Sequence, residues 1–66
     1  MEVVLNGQKV ICNAPITLEQ LLADQKMIKA GIAVAVNHEV VPKLSWNNTS
    51  INSKDEILII TATQGG

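Results

Sequence analysis

One stretch of the chain carries several marks of an amphipathic helix, and it constrains the fold more than any other feature. Thr17 occupies the capping position, and Gln20 follows three residues later, as in a capping box. Ile16 and Leu21 stand where the two residues of a hydrophobic staple belong. We expect the helix to lead into the next strand at Gly31. The helical face turned to the core is formed by Leu18, Leu21, Leu22 and Gln25.

The first twelve residues predict a β-hairpin. Residues 2–5 and 9–12 are β-prone, and Asn6-Gly7 between them tolerates the positive φ angles of a tight turn. Alternation separates a core-facing set from a solvent-facing set. We expect Cys12 to be a small buried apolar group rather than a reactive thiol. The core-facing set is Met1, Val3, Leu5, Val10 and Cys12, and the other is Glu2, Val4, Lys9 and Ile11.

Three further strands are predicted after the helix. Residues 32–37 form a nearly continuous apolar run, typical of a central strand. A turn at 37–39 leads to a short strand at 40–41, which Pro42 ends because proline has no amide hydrogen. The last strand is predicted over residues 57–63.

The order strand, strand, helix, strand, short strand, strand indicates an α+β domain in two layers, with a mixed β-sheet and one main helix packed across one face. The 66 residues allow one domain, residues 1–66. With one cysteine and one histidine, the chain must depend on aliphatic packing rather than on a disulfide or a metal. We expect Trp46, in a polar loop, to close the edge of the core rather than to stack on a ligand. One helix leaves part of the sheet uncovered, and that surface is a candidate for protein binding.

Composition and motifs exclude several function classes. The net charge is -1 and the five lysines are scattered, whereas nucleic acid binding needs a basic stripe. The apolar runs are too short to cross a membrane and no signal segment is visible, so a cytoplasmic location is expected. The four dispersed glycines form no phosphate-binding loop. The carboxylates form no evident acid and base pair, and His38 lies in a turn where solvent exposure is expected. We therefore predict that the chain is not an enzyme, has no catalytic residue and binds neither a metal nor a cofactor.

The sequence finishes on TATQGG, and Gly66 is the remaining candidate for covalent chemistry. Adenylation converts a terminal carboxylate to an acyl adenylate that a thiol, sulfide or amine can attack. Glycine allows close backbone approach to a partner's narrow cleft. Residues 63–66 are predicted to be a flexible tail in which Gln64 and Gly65 carry Gly66. The alternative is an inert frayed end.

Four segments carry a resemblance to a known family: VVLNGQ, TLEQLL, VAVNHEVVP and the final GG. Across its whole length the chain resembles the ThiS family, the sulfur carrier proteins of thiamin biosynthesis, which have the ubiquitin-like β-grasp fold. The resemblance implies that a ubiquitin-activating-like (ThiF-like) adenylyltransferase uses ATP and magnesium to adenylate Gly66. Sulfur from a cysteine-derived donor system would then give a thiocarboxylate, which would donate sulfur to thiazole formation on a ThiG-like thiazole synthase.

The β-grasp face assignment also implies a partner surface. Ile57 and Ile59 then point inward, and the outward set beside the tail, with which we expect a partner to make contact, is Leu58, Ile60 and Ala62. Two related functions stay open: the small subunit of molybdopterin synthase, which is also a sulfur carrier, and a ubiquitin-like modifier of target lysines. A plain interaction module with an inert tail is the third alternative.

Overall fold

The computed structural model describes residues 1–61 as a five-stranded mixed sheet with one α-helix on one face. The strands follow the spatial order β2-β1-β5-β3-β4, in which β1 and β5 are parallel and the other neighbours antiparallel. This is the α+β arrangement predicted from the sequence. In chain order the elements are β1 (Glu2–Leu5), β2 (Gln8–Ile11), α1 (Leu18–Asp24), β3 (Ile32–Val36), β4 (Glu39–Val41), a 3₁₀-helix (Lys43–Asn48) and β5 (Glu56–Thr61).

The hairpin of β1 and β2 turns at Asn6 and Gly7, as predicted. Both residues have left-handed backbone conformations, with φ of 49° and 81°, which match the twist of a two-residue hairpin turn. Val3 and Leu5 are buried, and Ile11 is exposed on the other face. The prediction for Cys12 needs a correction, since its side chain is only half-buried at the end of the second strand. Directly after this edge strand, the side chain of Cys12 packs against the core and is partly exposed to solvent.

Helix α1 begins with the predicted capping box. The amide of Gln20 donates to Oγ1 of Thr17 at 3.2 Å, and the amide of Thr17 donates to Oε1 of Gln20 at 3.1 Å. These two bonds satisfy amides that would otherwise lack partners in the first turn. The predicted core face is confirmed by the complete burial of Leu18, Leu21 and Leu22, while Gln25 is half-buried.

The predicted exit from the helix at Gly31 is wrong. The helix ends at Asp24, and Lys26 takes the left-handed conformation with φ of 57°. The amide of Lys26 donates to the carbonyl of Ala23 and that of Met27 to the carbonyl of Leu22, which is the Schellman pattern. Met27 packs against the core, so burial of this side chain favours an early stop even without glycine. Gly31, with φ of 78°, instead lies directly before β3.

The core lies between α1 and the sheet and is closed at its edge by Trp46. The indole ring is buried and its Nε1 donates a 2.9 Å hydrogen bond to the carbonyl of Val41. The buried polar nitrogen is therefore satisfied, and the ring fills the space beside the helix, as predicted. The polar loop predicted around Trp46 contains the 3₁₀-helix. The buried cluster consists of Val3, Leu5, Ile16, Leu18, Leu21, Leu22, Val34, Trp46, Ile51 and Ile57.

Strand β5 occupies the centre of the sheet. It pairs in parallel with β1 at Leu5 and Ile57, and its antiparallel ladder with β3 runs from Val36 opposite Ile57 to Ile32 opposite Thr61. The predicted strand over residues 57–63 is confirmed as far as Thr61, and its last two residues lie outside the described part of the chain. The tail predicted at 63–66 lies outside it as well.

Candidate functional site

The sheet face opposite α1 presents the predicted outward side chains of β5. Ile57 is completely buried under the helix, whereas Leu58 is 48% exposed and Ile60 is 52% exposed. Each lies opposite a small residue of β3, because Leu58 pairs with Ala35 and Ile60 with Ala33. The side chains of Leu58 and Ile60 therefore project further from the sheet than those of the two alanines. We call this surface the open face. Its apolar members are Val4, Ile11, Ala33, Ala35, Val40, Leu58 and Ile60.

One end of the open face holds a depression of about 160 Å³. It lies where the β1–β2 turn and the β3–β4 turn approach the beginning of β5. Its lining combines apolar surface with an imidazole ring and a carboxylate at the rim, and Nε2 of His38 lies 3.5 Å from Oε1 of Glu56. The lining residues are Gly7, Ala35, His38, Glu56, Ile57 and Leu58.

Hydrogen bonds from the side chain of Asn37 hold the beginning of β5 beside this depression. The Asn37 carboxamide oxygen accepts from the amide of Glu56 at 2.9 Å, and its nitrogen donates to Oδ1 of Asp55 at 3.0 Å. The Asn37 amide also donates to the carbonyl of Glu56 at 2.8 Å. Glu56 thus has a fixed backbone, while its side chain is more than half exposed.

The predicted site residues fall into two groups. Leu58 and Ile60 lie together on the open face, in the strand that precedes the predicted tail in sequence. Ala62, Gln64, Gly65 and Gly66 lie outside the described residues, so their assignment stays a prediction. Sequence reasoning missed the depression beside Glu56. Alternation placed Leu58 on this face, but the register that sets Ala35 opposite it depends on pairing between distant segments.

Among the described residues, His38 is the other side chain considered as a source of chemistry. His38 is exposed on a turn, as predicted, with 89% of its side chain accessible. Residues 1–61 contain no group of three or more histidine, cysteine or acidic side chains arranged to hold a metal ion. In the same residues no helix combines the length and the apolar character needed to span a membrane.

Comparison with known proteins assigns the chain to a family. The model of the ThiS family matches residues 3–66. The sulfur carrier protein ThiS of Escherichia coli K12 is 32% identical over 66 residues, and the match spans the full length of both chains. A thiazole synthase of Paramagnetospirillum magneticum is 33% identical over the whole of this chain, which spans only 20% of that relative's length.

The fold has a counterpart of known structure. The crystal structure of a thiamine biosynthesis protein, ThiS, from Geobacter metallireducens superposes with a TM-score of 0.86. The superposition covers both chains completely, at 22% sequence identity. This likeness extends to the order and placement of helix and strands and establishes the ubiquitin-like β-grasp fold. With the family model and the full-length Escherichia coli relative, it leads to one conclusion: the chain belongs to the ThiS family.

Proposed function

We propose that this chain is a sulfur carrier of thiamin biosynthesis and that it carries sulfur as a thiocarboxylate on Gly66. The observation that supports this most directly is the full-length similarity to the Escherichia coli sulfur carrier, with 32% identity from the first residue to the last. The chain then acts as a protein co-substrate of partner enzymes rather than as an enzyme. The proposal places this chemistry in the cytoplasm, where ATP is available.

The first step is activation of the Gly66 carboxylate. A carboxylate oxygen attacks the α-phosphorus of ATP on a ThiF-like adenylyltransferase, pyrophosphate leaves, and an acyl adenylate forms. The partner supplies the ATP and the magnesium. Gly65 and Gly66 have no Cβ, so the backbone can approach the phosphate closely.

The second step replaces AMP by sulfur. Hydrosulfide released by a cysteine-derived donor system attacks the acyl carbon, the bond to the AMP oxygen breaks, and the products are the thiocarboxylate and AMP. The carrier then docks on a thiazole synthase, and its sulfur enters the growing thiazole ring. The thiazole synthase from Paramagnetospirillum magneticum supports this partner. One fifth of that protein is similar to the whole of this chain, so a carrier-like segment is part of the same polypeptide as a thiazole synthase.

This function requires that the body of the carrier binds a partner while the end of the chain reacts, and the described structure supports this separation. A partner can hold the body by the open face, through Leu58 and Ile60, while it processes the end of the chain. Ala62, Gln64 and Gly65 would complete the contact in this proposal. The body needs no catalytic group of its own, since both bond-forming steps take place in the partner's cleft.

The test is an intact-mass measurement. The full chain is incubated with an adenylyltransferase of this type, ATP, magnesium and a cysteine-derived sulfur source. We expect a shift equal to the replacement of one oxygen by one sulfur, located by fragmentation on Gly66. A variant lacking Gly66 should stay unmodified while its thermal unfolding is unchanged.

Other outcomes identify the competing functions. Adducts on lysines of other proteins would support a ubiquitin-like modifier instead. Sulfur that transfers to a molybdopterin precursor, but not to thiazole, would support the molybdopterin synthase small subunit. A chain that no adenylating partner modifies would contradict the carrier function.

A further inference from the structure

We propose that the depression beside Glu56 binds an arginine or lysine side chain of the adenylating partner. This contact would lie at the end of the open face remote from Thr61, where β5 ends in the described chain. The inference rests on the proposed function, because it names the second point at which that partner holds the carrier. Its role would be to select and position the partner, not to take part in the transfer of adenylate or sulfur.

The volume and the lining of the depression suit one long side chain. Its volume is about 160 Å³, similar to an engineered cavity of about 150 Å³ that accepts benzene. Ala35 and Leu58 lie side by side across β3 and β5 and supply apolar surface, and Gly7 adds no side chain to the opposite wall. The aliphatic stem of arginine or lysine can pack on such a surface while its charged end reaches the rim.

The charge at the rim is provided by Glu56. Asn37 forms hydrogen bonds with both the amide and the carbonyl of Glu56. The backbone from which the Glu56 side chain projects is therefore fixed in position. Within the described residues its oxygen Oε1 lies 3.5 Å from Nε2 of His38. That separation lies at the outer limit of a hydrogen bond, so the carboxylate keeps the capacity to accept from a guanidinium or ammonium group.

The combination of apolar surface and one carboxylate determines which kind of partner side chain the depression can bind. A purely apolar side chain would cover Glu56 without pairing it, and an unpaired buried charge is costly. An acidic side chain would be repelled. A cation with an aliphatic stem satisfies both parts of the lining, and charge complementarity therefore favours arginine or lysine.

One argument favours the adenylating partner as the source of this side chain. An enzyme that binds ATP near the arriving carboxylate needs cationic groups around its cleft, and an acidic group on the carrier is attracted to such a surface. Glu56 and Thr61 also lie five residues apart on one strand, about 17 Å at 3.3 Å per residue. A contact that far from the end of β5 affects binding rather than the chemical step.

The test compares two variants of the carrier, each of which lacks one carboxylate. Glu56→Gln removes the carboxylate from the depression. Glu39→Gln is the matched control, because Glu39 pairs with Val36 on the helix side of the sheet and does not line the depression. Pyrophosphate release by the adenylyltransferase is measured at increasing carrier concentration. We expect Glu56→Gln to raise KM by about fivefold to tenfold, to leave kcat unchanged and to weaken the salt dependence of KM, while Glu39→Gln matches the wild type.

A steric variant provides an independent measurement. Ala35→Met places a longer side chain over the depression without changing charge, and we expect it to raise KM in the same way. Circular dichroism and the fluorescence of Trp46, the only tryptophan, report whether each variant is folded.

The outcomes separate this inference from the proposed function. If the wild-type chain is adenylated but Glu56→Gln and Glu39→Gln have equal KM, the inference is wrong and the proposed function stands. A fall in kcat alone, or an effect seen only in sulfur transfer to thiazole synthase, would also overturn it. A wild-type chain that is never adenylated overturns the proposed function itself.

Discussion

The carboxamide oxygen of Asn6 accepts a 2.7 Å hydrogen bond from the amide of Ile59, although 53 positions separate the two residues in sequence. The parallel ladder of β1 and β5 includes Leu5 opposite Ile57, and the amide of Asn6 donates to the carbonyl of Ile57 at 2.9 Å. The side chain of Asn6 therefore carries the pairing one step further along β5, after the backbone of β1 has turned away into the hairpin.

We predict that Asn6→Gly loosens β5 at Ile59 while it preserves the turn. Glycine keeps the left-handed backbone of position 6 but has no carboxamide to accept the bond. We expect a loss of about 1 kcal/mol in the free energy of unfolding and faster hydrogen exchange at the Ile59 amide. Asn6→Asp retains an acceptor oxygen and should protect that amide. Equal exchange rates in the wild type and Asn6→Gly would contradict this role.

Ile60→Asp should impair docking of the carrier without unfolding it. Ile60 is about half exposed, so the change adds charge to the open face at a stability cost of about 1 kcal/mol or less. We expect kcat/KM for adenylation to fall by more than about tenfold, since an apolar contact is replaced by a charge that must be desolvated. Leu44→Asp is the control, because Leu44 is 93% exposed on the 3₁₀-helix. Unchanged adenylation by Ile60→Asp would exclude the assigned surface.

Thr17→Ala should weaken the beginning of α1. The change removes the oxygen that accepts from the Gln20 amide, and loss of such a cap costs about 1 kcal/mol. Urea unfolding followed by Trp46 fluorescence gives the stability directly. Thr17→Ser keeps the hydroxyl and should recover most of the loss; if it is as unstable as the alanine variant, the cap is not the cause.

Leu21→Ala should have the largest effect on stability. Leu21 is completely buried between the helix and the sheet, and truncation of a buried leucine costs about 2–5 kcal/mol. Small domains have about 5–15 kcal/mol of stability, so the variant should unfold at a clearly lower temperature. Leu44→Ala removes the same atoms from an exposed position and should change the stability by less than about 0.5 kcal/mol. Similar melting temperatures for the two variants would contradict the described core.

Features set by neighbouring residues were predictable from the sequence. The Asn6-Gly7 turn and the capping box of Thr17 and Gln20 depend on residues within three positions of each other, and both are present. The alternation in β5 that exposes Leu58 and Ile60 is also local, because a strand turns successive side chains to opposite faces.

Features set by distant residues were not predictable. The end of α1 at Asp24, with Lys26 as the left-handed residue behind it, was missed because packing of Met27 against the core outweighs the preference for glycine in that conformation. The bond from Ile59 to Asn6 and the depression beside Glu56 both depend on the register of β5 against β1 and β3. A single strand sequence does not specify the register that its partners impose.

The central position of β5 determines how the domain would respond to force. If an enzyme draws the end of the chain into a cleft, tension reaches the body at Thr61 and acts along the strand axis. Because the ladder bonds run across the strands, that tension loads the bonds to β1 and those to β3 together in shear. An edge strand such as β2 or β4 is held by a ladder on one side only. A partner can therefore pull on the carrier without unravelling it.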